Sequence, residues 1–477
     1  MSILSLLDIA KSGITAQRLA LEVTSENITN VNTPGYSKQT TVFTTATVSQ
    51  ERGFPLGNGV RVAEIQRAYD DFLQTQLKSE STTKGWSDTV LASMTRAEQL
   101  FNEFTTDGLG KSLQDFFGAW QDLTANPQGQ PERQAILARG QQLADQFKRV
   151  NNYLNDIRTE ANQSLEGITA NVNDKLRKIA SLNEQIKQIE IQGARANELR
   201  DQRDLAVRQL AEKVGITYME QTDGTLNVSL SLGQPLVLGK DAAVLSLQPD
   251  AANSGFYRIY STAPGGTTAV DISSIAGGPG NSQGEMGGTL QVRDSLVNGF
   301  LADLDELAYT LATEVNAVHS SGFGLTGSTG IGFFTTPATM AGYSGLGGIS
   351  VAITNTNDIA AANADPAVGG TGNNTNAKDI ASLFDKILPL SGGNMTLGGF
   401  YNSLVGKVGV SVQNAERSAA LSEGVLKQLN NLRESQSGVS LDEELANLIK
   451  YQKAYEGAAK LINTGTEMID IILGLVR

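Results

Sequence analysis

The chain has 477 residues, no cysteine and one histidine, His319, so disulfide staples, thiol chemistry and the usual Cys/His zinc set are excluded. Its 37 Lys and Arg stand against 50 Asp and Glu, a net charge of −13 spread along the chain; this argues against a nucleic-acid partner and reads as a solvated acidic surface. No run of roughly 18 apolar residues occurs, so no membrane span is expected, and the opening MSILSLLDIAKSG lacks the basic start and cleavage site of a secretory signal.

Leu7, Ala10, Ile14, Gln17, Leu21, Thr24, Ile28 and Val31 recur at steps of three and four, the heptad seam of a coiled coil. The helix they predict ends in Asn27–Ser37, where Thr33-Pro34-Gly35-Tyr36 suits a type II turn with Gly35 at positive φ. The β-branched run Thr40–Val48, then Val60, Val62 and Ile65, predict extended chain. Helical spacing resumes near Tyr69 with Phe72, Leu73, Leu77, Trp86, Val90, Met94, Leu100 and Phe101, and Trp86 reads as core. A further helix covers Leu113–Leu123 and stops at Asn126-Pro127.

The longest signal follows. Pro131 suits a first helical turn, and Leu143, Phe147, Val150, Leu154, Ile157 and Ala161 open a stripe that runs on to Ile189. Roughly sixty helical residues would make a rod on the order of 90 Å. Gly193 predicts a break before a helix over Asn197–Lys213. From Gly215 the period changes to two, as in Leu226-Asn227-Val228-Ser229-Leu230, with turns at Asp223-Gly224, Pro264-Gly265-Gly266 and Gly277–Gly280; this predicts a small inserted β domain. Helix returns over Thr289–His319, followed by a Gly-rich stretch (Gly322–Gly348), a short strand (Ile349–Thr354), a polar stretch (Asp365–Asn376) and helices over Ala377–Ile387 and Leu404–Arg433. Ser440 and Glu443 read as a capping box for a final helix. Its Leu441, Leu445, Leu448, Gln452, Tyr455, Ala459, Ile462, Thr466, Ile469, Leu473 and Val476 repeat the heptad spacing of the first.

Narrow stripes of this kind make neither terminal helix stable alone. The simplest solution packs the two ends on each other or on copies from neighbouring subunits, with the rest of the chain as an excursion between them. The expected fold is α+β, multidomain and elongated. Residues 1–36 with 437–477 form paired terminal helices, and 37–214 with 289–321 and 377–436 form a helical rod domain. Residues 215–288 form an outer β domain, and 322–376 a Gly/Ser/Asn-rich segment with a short strand.

No catalytic chemistry stands out. His319 closes a predicted helix, where it reads as a partner of the helix dipole. Gly322–Gly327 matches G-x-G-x-x-G but follows a helix instead of a strand, and Gly233–Lys240 fails the spacing of a phosphate loop. Asp442, Glu443 and Glu444 sit in a first helical turn, a favourable place for carboxylates. No catalytic, cofactor-binding or metal-binding residue is expected, and the chain reads as non-enzymatic.

SENITNVNTPGYS (Ser25–Ser37) resembles the N-terminal signature of bacterial flagellar rod, hook and hook-associated proteins, and LDEELANLIKYQKAYEGAAKLINTGTEM (Leu441–Met468) resembles their C-terminal signature. LQDFFGAWQDLTANPQGQPERQAIL after Gly108-Leu109, NELRDQRD (Asn197–Asp204) and VNAVHSSG (Val315–Gly322) narrow the resemblance to the hook-associated protein 1 family, the hook–filament junction proteins. The resemblance covers about residues 1–215, 288–334 and 402–477. It implies a structural subunit, without cofactors, at the distal end of the hook, exported unfolded through the flagellar type III apparatus. The implied partners are copies of itself, the hook protein, hook-associated protein 3 and a cytoplasmic export chaperone that holds Leu441–Val476. Leu7, Ile14, Leu21, Ile28, Leu445, Leu448, Tyr455, Ile462 and Ile469 are the expected assembly interface. A hook or rod subunit would lack the long helical block Leu143–Ile189, and a cytosolic coiled-coil scaffold would have terminal helices that are stable alone.

Overall fold

The structure, a computed structural model, describes residues 3–475 except 47–48, 52–53, 102–107, 232, 277–282 and 337. The expected turn at Gly277–Gly280 and the seam residue Val476 lie outside the described residues.

The architecture is α+β: long helices carry several small antiparallel sheets. After α1 (Ile3–Thr29), β1 (Gln39–Thr45) and β4 (Val60–Arg67) pair antiparallel, with β2 (Ser49–Glu51) and β3 (Phe54–Leu56) as a smaller hairpin between them. Then come α2 (Asp71–Phe101), α3 (Leu109–Ala125), α4 (Gln130–Glu190) and α5 (Asn197–Lys213). At 61 residues, α4 extends on the order of 90 Å. It carries Pro131 in its first turn, where no N–H is needed, and the chain turns after it at Gly193, whose φ is +83°.

The stripe on α4 serves two cores in succession. Ile136, Leu143, Phe147, Leu154 and Ile157 pack with α2, α3, α8 (Val297–Ser321), α11 (Leu397–Ser437) and the irregular 323–362 region. Leu165, Ile168, Val172, Leu176 and Ile179 pack instead with α5 and the inserted strands. Those strands form a four-stranded sheet, β5 (Ile216–Glu220), β6 (Leu226–Leu230), β7 (Pro235–Leu238) and β8 (Asp241–Ala242), and a three-stranded sheet of β9 (Val244–Pro249), β10 (Tyr257–Thr262) and β11 (Ala269–Asp271). Leu226, Val228 and Leu230 alternate inward as the period-two pattern requires.

Polar side chains on α4 fix the sheets along it. Asn183 donates to Leu226 O (2.8 Å) and accepts from Leu226 N–H (3.0 Å), and Asn173 does the same with Leu245, at 2.8 Å in both directions. Asn162 accepts from Tyr257 N–H at 2.7 Å. Spacings of ten or eleven residues are close to three helical turns, so all three face the insertion. Each asparagine acts as a short piece of neighbouring strand.

Three segments differ from the sequence reading. The returning helix starts not at Thr289 but with α7 (Gly284–Gln291), and continues through a π-helical turn (Val292–Leu296) into α8. Its glycines are contact points: a Cβ on Gly288 would lie 2.9 Å from Trp86 O. The expected strand Ile349–Thr354 is a single bridge, Phe334 to Val351, although Phe333, Phe334, Ile349 and Ile359 are buried in the first core. The 356–359 segment is held from α4 by Arg133, whose buried guanidinium donates to Ile359 O (2.7 Å), Thr356 O (3.2 Å) and Pro127 O. The helix expected over Ala377–Ile387 is α10 (Thr375–Ser382), followed by a hairpin of β12 (Leu388–Leu390) and β13 (Gly393–Met395). Short helices α6 (Ser273–Ala276) and α9 (Pro366–Gly369) complete the excursion. The last helix is α12 (Leu441–Leu475), and no described helix is long and apolar enough to cross a membrane.

His319 is also corrected. It is 1 % exposed and edges against Trp120 and Phe333. Nε2 accepts from Ala360 N–H (2.9 Å), so Nδ1 carries the proton and donates to Ile331 O (2.7 Å). Burial lowers its pKa from 6.5 to about 4; it is a neutral core residue, not a charged dipole partner.

Candidate functional site

α1 and α12 lie side by side and antiparallel: Asn27 meets Glu444, Gly13 faces Ala458, and Leu7 faces Gly465. The approach is close. A Cβ on Gly465 would lie 2.7 Å from Leu7 Cδ2, and one on Gly13 3.5 Å from Ala458 Cβ. Ala10, Ala16, Ala20 and Val23 are buried on α1, whereas Glu444 and Gly465 are the residues of α12 that are buried. The contact is made by small side chains, which allow the backbones to approach.

Of the expected interface residues, Leu7, Ile14, Leu21, Ile28, Leu448, Ile462 and Ile469 are half-buried, while Leu445 (51 %) and Tyr455 (36 %) remain exposed. The seam counted from the sequence takes Ile14, Ala459 and Thr466 where Gly13, Ala458 and Gly465 make the contact, so the face that α1 covers is rotated from the one counted. Leu441, Leu445, Ile449, Leu461, Met468 and Ile472 are exposed on α12.

The polar residues that carry the resemblance meet at one hub, where the helix pair joins the rod. Asn27 donates to Gln39 O (2.8 Å) and to Glu444 Oε2 (3.1 Å), and its Oδ1 accepts from Gln39 N–H and Tyr36 O–H, both at 2.9 Å. Its side-chain amide is thereby satisfied on both ends, as a buried amide must be. Ser37 N–H and Oγ–H donate to Asp201 at 2.8 and 2.9 Å. Arg67 donates to Asp201 and Asp204, both at 2.8 Å, and lies 3.9 Å over the Tyr69 ring. Asn197 reaches Gln39 Oε1 (3.0 Å) and Ile65 O (2.8 Å). Lys38 closes the hub onto α12: its Nζ is 2.6 Å from Glu443 and 3.6 Å from Glu444, and its N–H donates to Ser437 O (2.8 Å).

The electrostatics follow from burial. Asp201 has its pKa raised by desolvation, against the lowering effect of Arg67 and Ser37. Burial works against the Arg67 cation, but Asp204 and Asp201 outweigh it and the net shift is upward. The hydrogen bond to Glu443 leads the rise at Lys38, and burial leads that at Tyr36. Glu443 is therefore committed across the chain to Lys38, in place of the capping-box role read from the sequence. Glu444 is a buried acceptor rather than a solvated first-turn acid. Neither partnership had a local signal, because Lys38 and Glu443 are distant in sequence.

Comparisons with known proteins match most of the chain. The flagellar hook-associated protein FlgK helical domain matches residues 94–334, half of the chain. The flagella basal body rod protein family matches residues 7–36, and the flagellar basal body rod FlgEFG protein C-terminal family matches 433–475. The chain belongs to the flagellar hook-associated protein FlgK family, structural components of the bacterial flagellum. It is 29% identical over 500 residues to flagellar hook-associated protein 1 of Bacillus subtilis, covering 98% of this chain and 97% of that one. The Escherichia coli protein of the same name is 27% identical, with 99% and 100% covered. The flagellar hook junction protein FlgK from Burkholderia pseudomallei shares the fold with a TM-score of 0.67 at 17% identity, covering 76% of this chain and all of that one.

Proposed function

We propose that the chain forms the layer that joins hook to filament and that filament assembly and motility depend on it. The observation that carries the reading is the joined pair of chain ends: α1 covers one face of α12 and leaves Leu441, Leu445, Ile449, Leu461, Met468 and Ile472 open. The occupant of that face is a copy of the same helix pair in a neighbouring subunit, and Leu7, Ile14, Leu21, Ile28, Leu445, Leu448, Tyr455, Ile462 and Ile469, the seam that closes each pair, complete the assembly interface. Residues 1–36 and 437–477 then form an inner, channel-lining layer and the rod an outer one.

The hook protein lies on one side of this layer and hook-associated protein 3 on the other. Before export the chain is transiently cytoplasmic, and a chaperone shields α12, whose apolar residues have too few partners in a single copy. The terminal helices gain partners in the tube, so folding is coupled to assembly. The role is structural, without catalysis.

Electron microscopy of cells lacking the gene, with an assay for flagellin in the medium, tests the reading. Complete hooks without filaments and with shed flagellin are expected. Normal filaments overturn the junction role, and loss of the hooks moves the subunit to an earlier stage. Leu21→Asp and Ile462→Asp are expected to abolish incorporation while the rod stays folded; unchanged junctions would remove these residues from the interface.

A further inference from the structure

Between α2, the end of α5 and β5 lies a cleft of about 350 Å³. Hydroxyl side chains dominate its lining, which contains one charged group, Lys78, and no carboxylate, in a chain of net charge −13. Lys78 is 3 % exposed. Its ammonium lies 3.8 Å above the centroid of Tyr218 and has no ion-pair or hydrogen-bond partner among the described residues. A cation withdrawn from water is ordinarily matched by a carboxylate or by carbonyls; Arg133 and Arg67 are matched in these ways.

The ring beneath Lys78 is fixed. Thr75 Oγ1 donates to Asp71 O (2.8 Å), so the Tyr218 hydroxyl, 2.7 Å away, donates to Thr75. The hydroxyls of Ser79, Thr217 and Ser231 also line the cleft and are uncommitted among the described residues. One cation with free hydroxyl donors and no competing carboxylate is the chemistry that receives an oxyanion.

We propose that this cleft binds a small oxyanion, with Lys78 as counter-ion and Ser79, Thr217 and Ser231 as hydroxyl donors. The bound group ties α2 to β5 and so stiffens the joint between the rod and the β insertion. Free phosphate and a carboxylate on a second copy of the chain present the same chemistry.

The test uses the full-length chain in a buffer free of oxyanions, with calorimetric titration and thermal unfolding in sodium phosphate or sodium chloride at matched ionic strength. Phosphate is expected to bind one per chain and to raise Tm in step with the logarithm of its concentration, as a native-state ligand must; chloride does neither. Lys78→Met keeps the buried stem and is expected to lose the phosphate-dependent shift. Should that variant not fold, the double variant Ser79→Ala, Ser231→Ala is expected to weaken phosphate binding about a hundredfold, roughly tenfold for each lost hydrogen bond. Phosphate titration of a chain that stays monomeric assigns the site to the free ion. Self-association that phosphate inhibits and Lys78→Met abolishes assigns it to a second copy. Equal effects of phosphate and chloride, or a phosphate shift that survives every variant, overturn the proposal.

Discussion

The rod and the terminal pair are both helical, yet they are held by different physics. In the rod, Trp120, Phe116, Phe147 and Leu154 are fully buried, and one core passes into the next along α4. In the terminal pair, α12 has Glu444 and Gly465 as its buried residues, and cohesion comes from close backbone approach and the polar hub around Asn27. Burial of large apolar groups holds the rod together. The pair is fastened at its base and thin in apolar burial along its length.

The largest expected contrast comes from truncating one side chain in each region. Trp120→Ala removes a fully buried indole edged by Phe116 and Phe333 and should cost about 3–5 kcal/mol. Leu461→Ala, at a site 44% exposed, should change the unfolding free energy of the isolated chain by no more than about 0.5 kcal/mol. Similar losses from the two would erase the distinction.

The second test is pH. His319 is held neutral, with its pKa lowered from 6.5 to about 4 by burial. Its contribution is complete above pH ~6.5, falls as acid protonates the unfolded chain first, and stops falling below pH ~4. The loss over that window is on the order of 3 kcal/mol. Urea midpoints against pH should show it in the rod, and His319→Gln should flatten the difference. An unchanged acid limb in that variant would show that His319 does not set it.

At the hub the expected effect is smaller and local. Asp201→Asn weakens acceptance from Ser37 and Arg67 and should cost about 2 kcal/mol. Hydrogen exchange should quicken at residues 27–39 while α4 stays protected; uniform quickening would mean that the hub also supports the rod. The smallest effect is a gain. Gly13→Ala places a Cβ in ordinary contact with Ala458 and should stabilise α1 by about 0.5–1 kcal/mol. A loss, read by circular dichroism melts, would mean that the helices pack more tightly there than the 3.5 Å separation implies.

The sequence by itself determined the long elements and the family. The α4 stripe, the Gly193 break and the period change at Gly215 are local signals, and the signatures at Ser25–Ser37, Asn197–Asp204 and Leu441–Met468 pointed to flagellar proteins. Tertiary structure alone decided which residues meet. It buried Phe333, Phe334, Ile349 and Ile359 of the 323–362 region in the first core, and matched Arg133 to backbone carbonyls there. It turned Asn162, Asn173 and Asn183 into strand partners, and turned Glu443 and Glu444 from first-turn acids into anchors for Lys38 and Asn27. Periodicity reports which face of a helix is apolar. It cannot report which distant polar group will satisfy a buried one, because that pairing forms only when the chain ends are brought together.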